Sequence, residues 1–570
     1  MAWLIPLPAE AAALAEATWD DLVPWYQALA GTPLDATGVD PWLATWSRLE
    51  ELVGEAASLA MIAYTCDTAD PAKERAHLRF SAEILPRAEE QSVALARRLV
   101  ASGLVPQGME VPVERFRTSI RIFREANVPL FTELEEIGAA YQRTTGGMTA
   151  EWEGERRPLP QLAPFLQSPD RVVRERAWRA TVAPYVAARE ELAGQFDRMY
   201  RLRQQVAANS GFASFRDFIF PAKFRFDYTP ADCERFHDAV EATVIPALRR
   251  VLTARRSRLG LEELRPWDLG VNPYRAEALR PYADPAELPG VARRIFGRLD
   301  PALGAEFQVM MDEHLLDLES RRGKAPGGYC DTLHARGRPF IFMNASGVMD
   351  DVNTLLHEAG HAFHAFASHA QPLIWQRHPG SESAELASMS MELLAAPHLA
   401  RPTGYLTVPD AVLARLEHLE DILVSLAHIA SVDAFQHWLY TSGAGGEAAA
   451  RDAAWLRIRA RFDPEVVWSG LEAERVARWY RQLHIFLYPF YYIEYGIAQL
   501  GALQVWRNSG RDPAGAVAAY RRFLALGATR SLPELFAAAG AELVFDAARM
   551  AELVALVEEE ITALRQEAGR

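Results

Sequence analysis

The sequence predicts a mainly α-helical protein. Three observations carry that reading: long stretches with apolar residues at three- and four-residue spacing, very few strand-like segments, and no repeat or low-complexity tract. Glu51 to Leu99 is the first such stretch, and Pro230 to Leu259 and Val408 to Ala430 follow it. Leu535 to Arg565 reads as one more helix near the C-terminus. Met148 to Pro158 alternates around a Gly and predicts a small hairpin. Arg338-Pro-Phe-Ile-Phe-Met-Asn344, bounded by Gly337 and Gly347, is the clearest strand. The Gly- and Pro-rich stretch Thr144 to Asp170 marks a weak boundary, and the chain divides near residue 190, into 1–190 and 191–570.

Composition narrows the function. The 570 residues carry 60 Lys and Arg against 75 Asp and Glu, a formal charge of −15 with no basic block. Such a balance argues against nucleic acid or an anionic membrane as the main partner. No stretch of about 18 uninterrupted apolar residues occurs, so no membrane span is expected. The opening MAWLIPLPAEAAALAEATWDD lacks a basic n-region and does not read as a signal peptide, which fits a cytoplasmic location. Cys66, Cys233 and Cys330 lie far apart, so neither a disulfide framework nor a four-thiolate zinc site is expected. A bound metal would then need His and carboxylate ligands.

Those residues come together in Leu356-His357-Glu358-Ala359-Gly360-His361-Ala362-Phe363-His364, which contains H-E-x-x-H. On a helix, residues four apart lie about 40° apart around the axis, so His357 and His361 face one point. That suits two imidazoles on one zinc ion, each about 2.0–2.1 Å from it. Glu358 sits about 100° round, placed to take a proton from a water as general base rather than to ligate. Asp350 and Asp351 are N-cap candidates for this helix, and Asp350 also counts among the residues expected to surround the ligands. The third-histidine version of the motif is excluded, because His364 and Ala367 occupy its Gly and His positions. A Glu from a second helix is the alternative. Ser381-Glu-Ser-Ala-Glu385-Leu-Ala-Ser-Met-Ser-Met-Glu392 supplies it, with Ser381 or Ser383 as cap. Glu385 is the chosen ligand and Glu392 the partner of a ligand imidazole; Glu382 and Glu392 are the competing ligand choices. His364, one turn beyond His361, would approach the metal, hydrogen-bond nearby or pack.

A second segment is rich in hydrogen-bond donors. His484-Ile-Phe-Leu-Tyr488-Pro-Phe-Tyr491-Tyr492-Ile-Glu494-Tyr495-Gly496 carries one His and four Tyr. Pro489 is expected to begin a helix, leaving His484 and Tyr488 on a loop and Tyr491, Tyr492 and Tyr495 on its first turns. Neutral O–H and N–H groups suit the negative oxygen that develops when a peptide carbonyl is attacked.

Taken together, these motifs resemble an oligoendopeptidase of the thimet oligopeptidase superfamily, on the bacterial oligoendopeptidase F branch with its Pz-peptidase relatives. Gly327-Gly-Tyr-Cys330, the strand to Asn344, and Asp351 through His364 are similar to that family's catalytic core. Glu385-Leu-Ala-Ser and Pro489 through Gly496 resemble its third-ligand and tyrosine-rich segments, although Ile493 stands where many relatives carry a further Tyr. Trp152 through Asp170 resembles its pre-catalytic region, so the likeness spans about residues 145–500. It implies a bilobed helical shell around a deep substrate channel, a helical N-terminal lobe (1–190), a catalytic lobe (191–570), and a small β-sheet next to the zinc-binding helix. It also implies one Zn²⁺ per chain on His357, His361 and Glu385, with Glu358 as catalytic base. His484 and a tyrosine among Tyr488, Tyr491, Tyr492 and Tyr495 would hold the oxyanion, and Gly327, Gly328, Tyr329 and His364 would contact substrate. The implied substrates are short unstructured peptides cleaved internally, by a monomer or small homo-oligomer. The strand Phe340 to Met343 is expected to pair with an extended substrate. The rival readings are a zinc carboxypeptidase with the same motif and a non-catalytic helical peptide-binding protein.

Overall fold

A computed structural model describes residues 6–275, 279–321, 323–325 and 327–569. The fold is 70% helical, with one hairpin and one three-stranded sheet among the described residues. Where a single boundary near residue 190 was expected, the chain forms two compact units, each built from three separated stretches. The first contains Met1–Arg121, Arg280–Val408 and Gly501–Leu543; the second contains Ile122–Leu279, Pro409–Leu500 and Val544–Arg570. Helices returning from distant stretches complete each core, and a loop-based reading of composition does not register such returns. No described helix is long and apolar enough to cross a membrane.

The expected helices form, with breaks at local signals. Glu51 to Leu99 is interrupted after Cys66, where Asp70 accepts from Ala72 N–H and starts a new helix at Pro71. Leu535 to Arg565 is two helices, Leu532–Ala538 and Ala547–Ala568, separated where Gly540 takes a φ of 80°. The helix from Val408 runs on to Thr441, with no breaker between. The hairpin pairs β1 (Thr149–Trp152) with β2 (Glu155–Pro158). Its two-residue turn, Glu153 and Gly154, has both φ values positive, which matches strand twist.

The first unit is organised by a Trp-rich core. Trp42 and Trp46, on the helix Val39–Cys66, are fully buried, and Trp46 packs 4.3 Å from Trp375 and 5.5 Å from Phe116 between ring centres. The sheet of this unit has the order β3 (Leu316–Glu319), β5 (Arg338–Ala345), β4 (Tyr329–Leu333). β5 is parallel to β3 and antiparallel to β4. Phe340 to Met343 therefore lie on a central strand paired on both sides, which corrects the expectation that they add a substrate strand. β4 is the edge. Lys324 staples β3 to β5, donating to Asp317 at 2.9 Å and to the Glu319 and Met343 carbonyls.

The His-Glu helix, Met349–Ser368, leaves β5 through a tight, capped turn. Asp351 does the capping: its Oδ2 accepts the N–H groups of Ser346, Gly347 and Val348 at 2.8–2.9 Å, and the Tyr282 hydroxyl as well. Asp350, the other candidate, is exposed. Asp351→Ala is expected to cost about 2 kcal/mol, because three N–H groups at the helix start lose their acceptor. Thermal denaturation of that variant beside Asp350→Ala checks this; equal melting temperatures for the two would refute it.

Candidate metal centre

Two helices of the first unit build the centre. The second, Ser381–Ala395, starts from Gly380 without the side-chain cap expected of Ser381 or Ser383. The two helices touch backbone to backbone at Gly360. A Cβ built there would lie 2.5 Å from Ser388 Cα and 2.7 Å from the Ala387 carbonyl oxygen. Only a glycine lets the two axes approach this far. The contact is packed by Ala359, Ala362, Leu386 and Ala387, all fully buried, and by the Tyr520 hydroxyl donating to the Ala387 carbonyl at 2.9 Å.

This approach brings His357, His361 and Glu385 together, with one ligand atom from each lying within 4.8 Å of the others. Glu385 Oε2 lies 3.3 Å from His357 Nε2 and 3.8 Å from His361 Nε2. Glu392 Oε1 lies 2.6 Å from His357 Nδ1, on the far side of the ring, and so fixes its rotation and tautomer. The Ser388 hydroxyl donates 3.0 Å to Glu385 Oε2. Two imidazoles and a carboxylate, two of the three steadied from behind, form a donor set that fits a divalent cation. The imidazole side chains keep 21–23% of their surface exposed, so the group opens on one side. Glu382, on the first turn, is not part of the group.

Glu358 is buried on the same helix and accepts the Cys330 backbone N–H from edge strand β4. Burial is the largest influence and raises its pKa to about 7; the neighbouring Glu385 and Glu392 add to the rise and His357 opposes it. A carboxylate poised there exchanges protons readily near neutrality. His361, also desolvated, is pushed down to about 4 and so stays neutral, as a metal ligand must.

The other expected residues land variously. Gly328 backs onto the Phe342 carbonyl and Thr354, and Asn344 Nδ2 donates to the Gly327 carbonyl at 2.9 Å. Tyr329 stacks 4.9 Å from Phe342, with its hydroxyl 2.6 Å from Thr65 Oγ1. His364 faces away from the group: it is buried 5.4 Å from Phe523, and burial pushes its pKa down to about 3. Asp351, Ser388 and Gly360 carry weight that spacing alone did not assign, although the N3 acidic position was a signal for the first.

In the second unit, His484 sits among all four tyrosines, with ring centres 4.9–6.0 Å from Tyr488, Tyr491, Tyr492 and Tyr495. His484 lies on a short helix, Leu483–Leu487, rather than a loop, and the next helix begins at Tyr492 rather than Pro489. Phe490 intervenes with a φ of 62°, its N–H donating 2.6 Å to Gln436 and its carbonyl accepting from Arg225. Glu494 ties the segment down through Arg225 at 2.8 Å and Lys223 at 3.0 Å. Tyr492 accepts a 2.6 Å bond from Gln482, whereas Tyr488 is 53% exposed.

A family model described as Peptidase family M3 matches residues 165–554. An oligoendopeptidase F homolog of Lactococcus lactis subsp. lactis (strain IL1403) is 22% identical over 502 residues, covering 84% of this chain and 75% of that protein. Oligopeptidase PepF of Bacillus subtilis (strain 168) is 24% identical over 398 residues, covering 66% of this chain and 55% of that protein. Among solved structures, Pz peptidase A with an inhibitor superposes with a TM-score of 0.88 at 26% identity, over 98% of this chain and 99% of that one.

Gly360→Ala is expected to separate the two helices, because backbone atoms of Ala387 and Ser388 cannot yield to a Cβ. Overpacking of this kind costs about 1–3 kcal/mol. Metal titration of the folded variant should show affinity weakened at least about tenfold, the loss typical of disturbed ligand support; unchanged affinity would show that the approach does not set the donor geometry.

Proposed function

Because the chain belongs to peptidase family M3, we propose that it is a zinc-dependent oligoendopeptidase acting on short unstructured peptides. The observation that carries the reading is the convergence of His357, His361 and Glu385 from two helices, with Glu358 buried beside them. His357, His361 and Glu385 hold the zinc, and Glu392 orients His357. Zinc bound there supplies Lewis-acid polarisation and acidifies water.

The chain's own groups do the rest. Glu358 accepts a proton from the attacking water and returns it to the departing amine. The Cys330 N–H keeps its carboxylate aimed at the reaction face. Edge strand β4, next to Glu358, takes the extended substrate backbone in place of the central strand β5. His484 and a tyrosine of its cluster donate to the oxyanion. Tyr488, Tyr491, Tyr492 and Tyr495 are all candidates, because the Tyr492 hydroxyl accepts from Gln482 and keeps its own proton to donate.

Two measurements test this reading. Glu358→Gln should keep the zinc of this centre and lose at least about 10²-fold in kcat, the scale of a lost general base, whereas His361→Ala should lose the zinc of this centre and activity together. Activity retained in Glu358→Gln would sink the proposed base. Separately, peptides blocked at both ends are expected to be cut internally, with cutting abolished by a chelator and restored by zinc. Release of C-terminal residues alone, from unblocked peptides, would favour a carboxypeptidase instead.

A further inference from the structure

The second unit contains another group of ligand-type side chains, remote in sequence from the His-Glu helix. Cys233 and His237 are four apart on the helix Pro230–Ala239, and Asp433 and His437 are four apart on the helix Val408–Thr441. Each pair therefore presents both side chains on one helix face. Ligand atoms of Cys233, Asp433 and His437 lie within 4.8 Å of one another. His437 Nε2 is 3.3 Å from Asp433 Oδ2, and His237 Nε2 is 2.8 Å from the same oxygen. Cys233 and Asp433 are fully buried, and His237 and His437 are 4–5% exposed.

Ordinary packing does not account for this group. Asp433 Oδ1 and both ring nitrogens of His437 are buried without a hydrogen bond, and the two nitrogens keep only ion-pair contacts, to Asp433 Oδ2 at 3.3 Å and to Glu234 at 3.8 Å. Buried polar atoms rarely go without a hydrogen bond, and three such atoms in one place leave room for a shared ligand. Apolar and aromatic rings close one side: Phe490 lies 5.4 Å and Phe220 6.2 Å from the His437 ring. On the other side a cavity of about 360 Å³, lined by Glu234, His437, Trp438 and Arg461, provides an entry path. Arg457 and Arg461 line that wall, and Arg461 is engaged by Asp238 at 2.9 Å and Glu241 at 2.6 Å.

We propose that Cys233, Asp433 and His437 form a second metal site, structural rather than catalytic, that takes Zn²⁺. A thiolate beside an imidazole and a carboxylate selects a borderline-soft ion over Mg²⁺ or Ca²⁺. Binding releases the Cys233 thiol proton to solvent through the cavity. The thiolate and carboxylate then balance the dication, leaving the buried site neutral. His237 donates from Nε2 to Asp433 Oδ2, which leaves Oδ1 for the ion. The site pins the helix of residues 230–239 to the helix of residues 408–441, inside the unit that carries the tyrosine cluster.

Elemental analysis of the intact zinc-loaded protein tests the proposal. Two zinc ions per chain are expected, falling to one in His361→Ala and to one in Cys233→Ala. Cobalt-loaded His361→Ala should show a near-ultraviolet thiolate-to-metal charge-transfer band that Cys233→Ala lacks. One zinc in the wild type, none in His361→Ala and no thiolate band would overturn the site. If Cys233→Ala fails to fold, the zinc count and the band in His361→Ala decide alone. A single zinc that survives His361→Ala but not Cys233→Ala would refute the proposed catalytic centre and leave this site standing.

Discussion

The absence of a side chain at Gly360 is the constraint on which the rest of the site depends. Helices with ordinary side chains at their contact pack 8–10 Å apart. Here the backbone of Ala387 and Ser388 occupies the space a Cβ would need. That closeness is what allows the side chain of Glu385 to reach His357, three residues before Gly360, and His361, the residue after it. The residue between the ligand histidines therefore sets the distance to the third donor as firmly as the histidines set the direction.

The supporting shell follows from the same contact. Glu392 is two turns beyond Glu385 on one face, so a helix placed for the first carboxylate delivers the second to the rear of His357. Asp351 fixes where the His-Glu helix begins, and with it the rotation of every residue on the helix. β4 then aligns its Cys330 N–H with Glu358, which joins the acid–base group to the sheet edge. Proton affinity near neutrality at Glu358 is a product of this crowding: burial outweighs the two groups that oppose it, His357 and the Cys330 N–H.

Much of the first centre was legible in the sequence because its information is local. His357, Glu358 and His361 occupy one helical turn, and Glu385 and Glu392 repeat at seven. The helical class was legible for the same reason. What escaped were properties of pairing between distant stretches. That Phe340 to Met343 lie on a central strand depends on β3, whose four residues carry no strong strand signal. The choice of Asp351 over Asp350 depends on Tyr282, far away in sequence. The three-stretch units depend on which helices return to which core. The helix start after Pro489 was displaced because Gln436 and Arg225 capture Phe490 in a left-handed turn.

The Cys233 group shows the same limit more sharply. Cys-x-x-x-His and Asp-x-x-x-His, about 200 residues apart, are each too common in helices to signal anything alone. Folding makes them one cluster, and its burial then separates it from the first. At His357 and His361 about a fifth of each side chain stays open. Cys233 and Asp433 themselves expose no surface, the cavity reaching the group on the His437 side, and the two charges they bring match one dication. An ion there would have its charge balanced by the protein and would join two helices, so helix pinning is the work the proposal gives it.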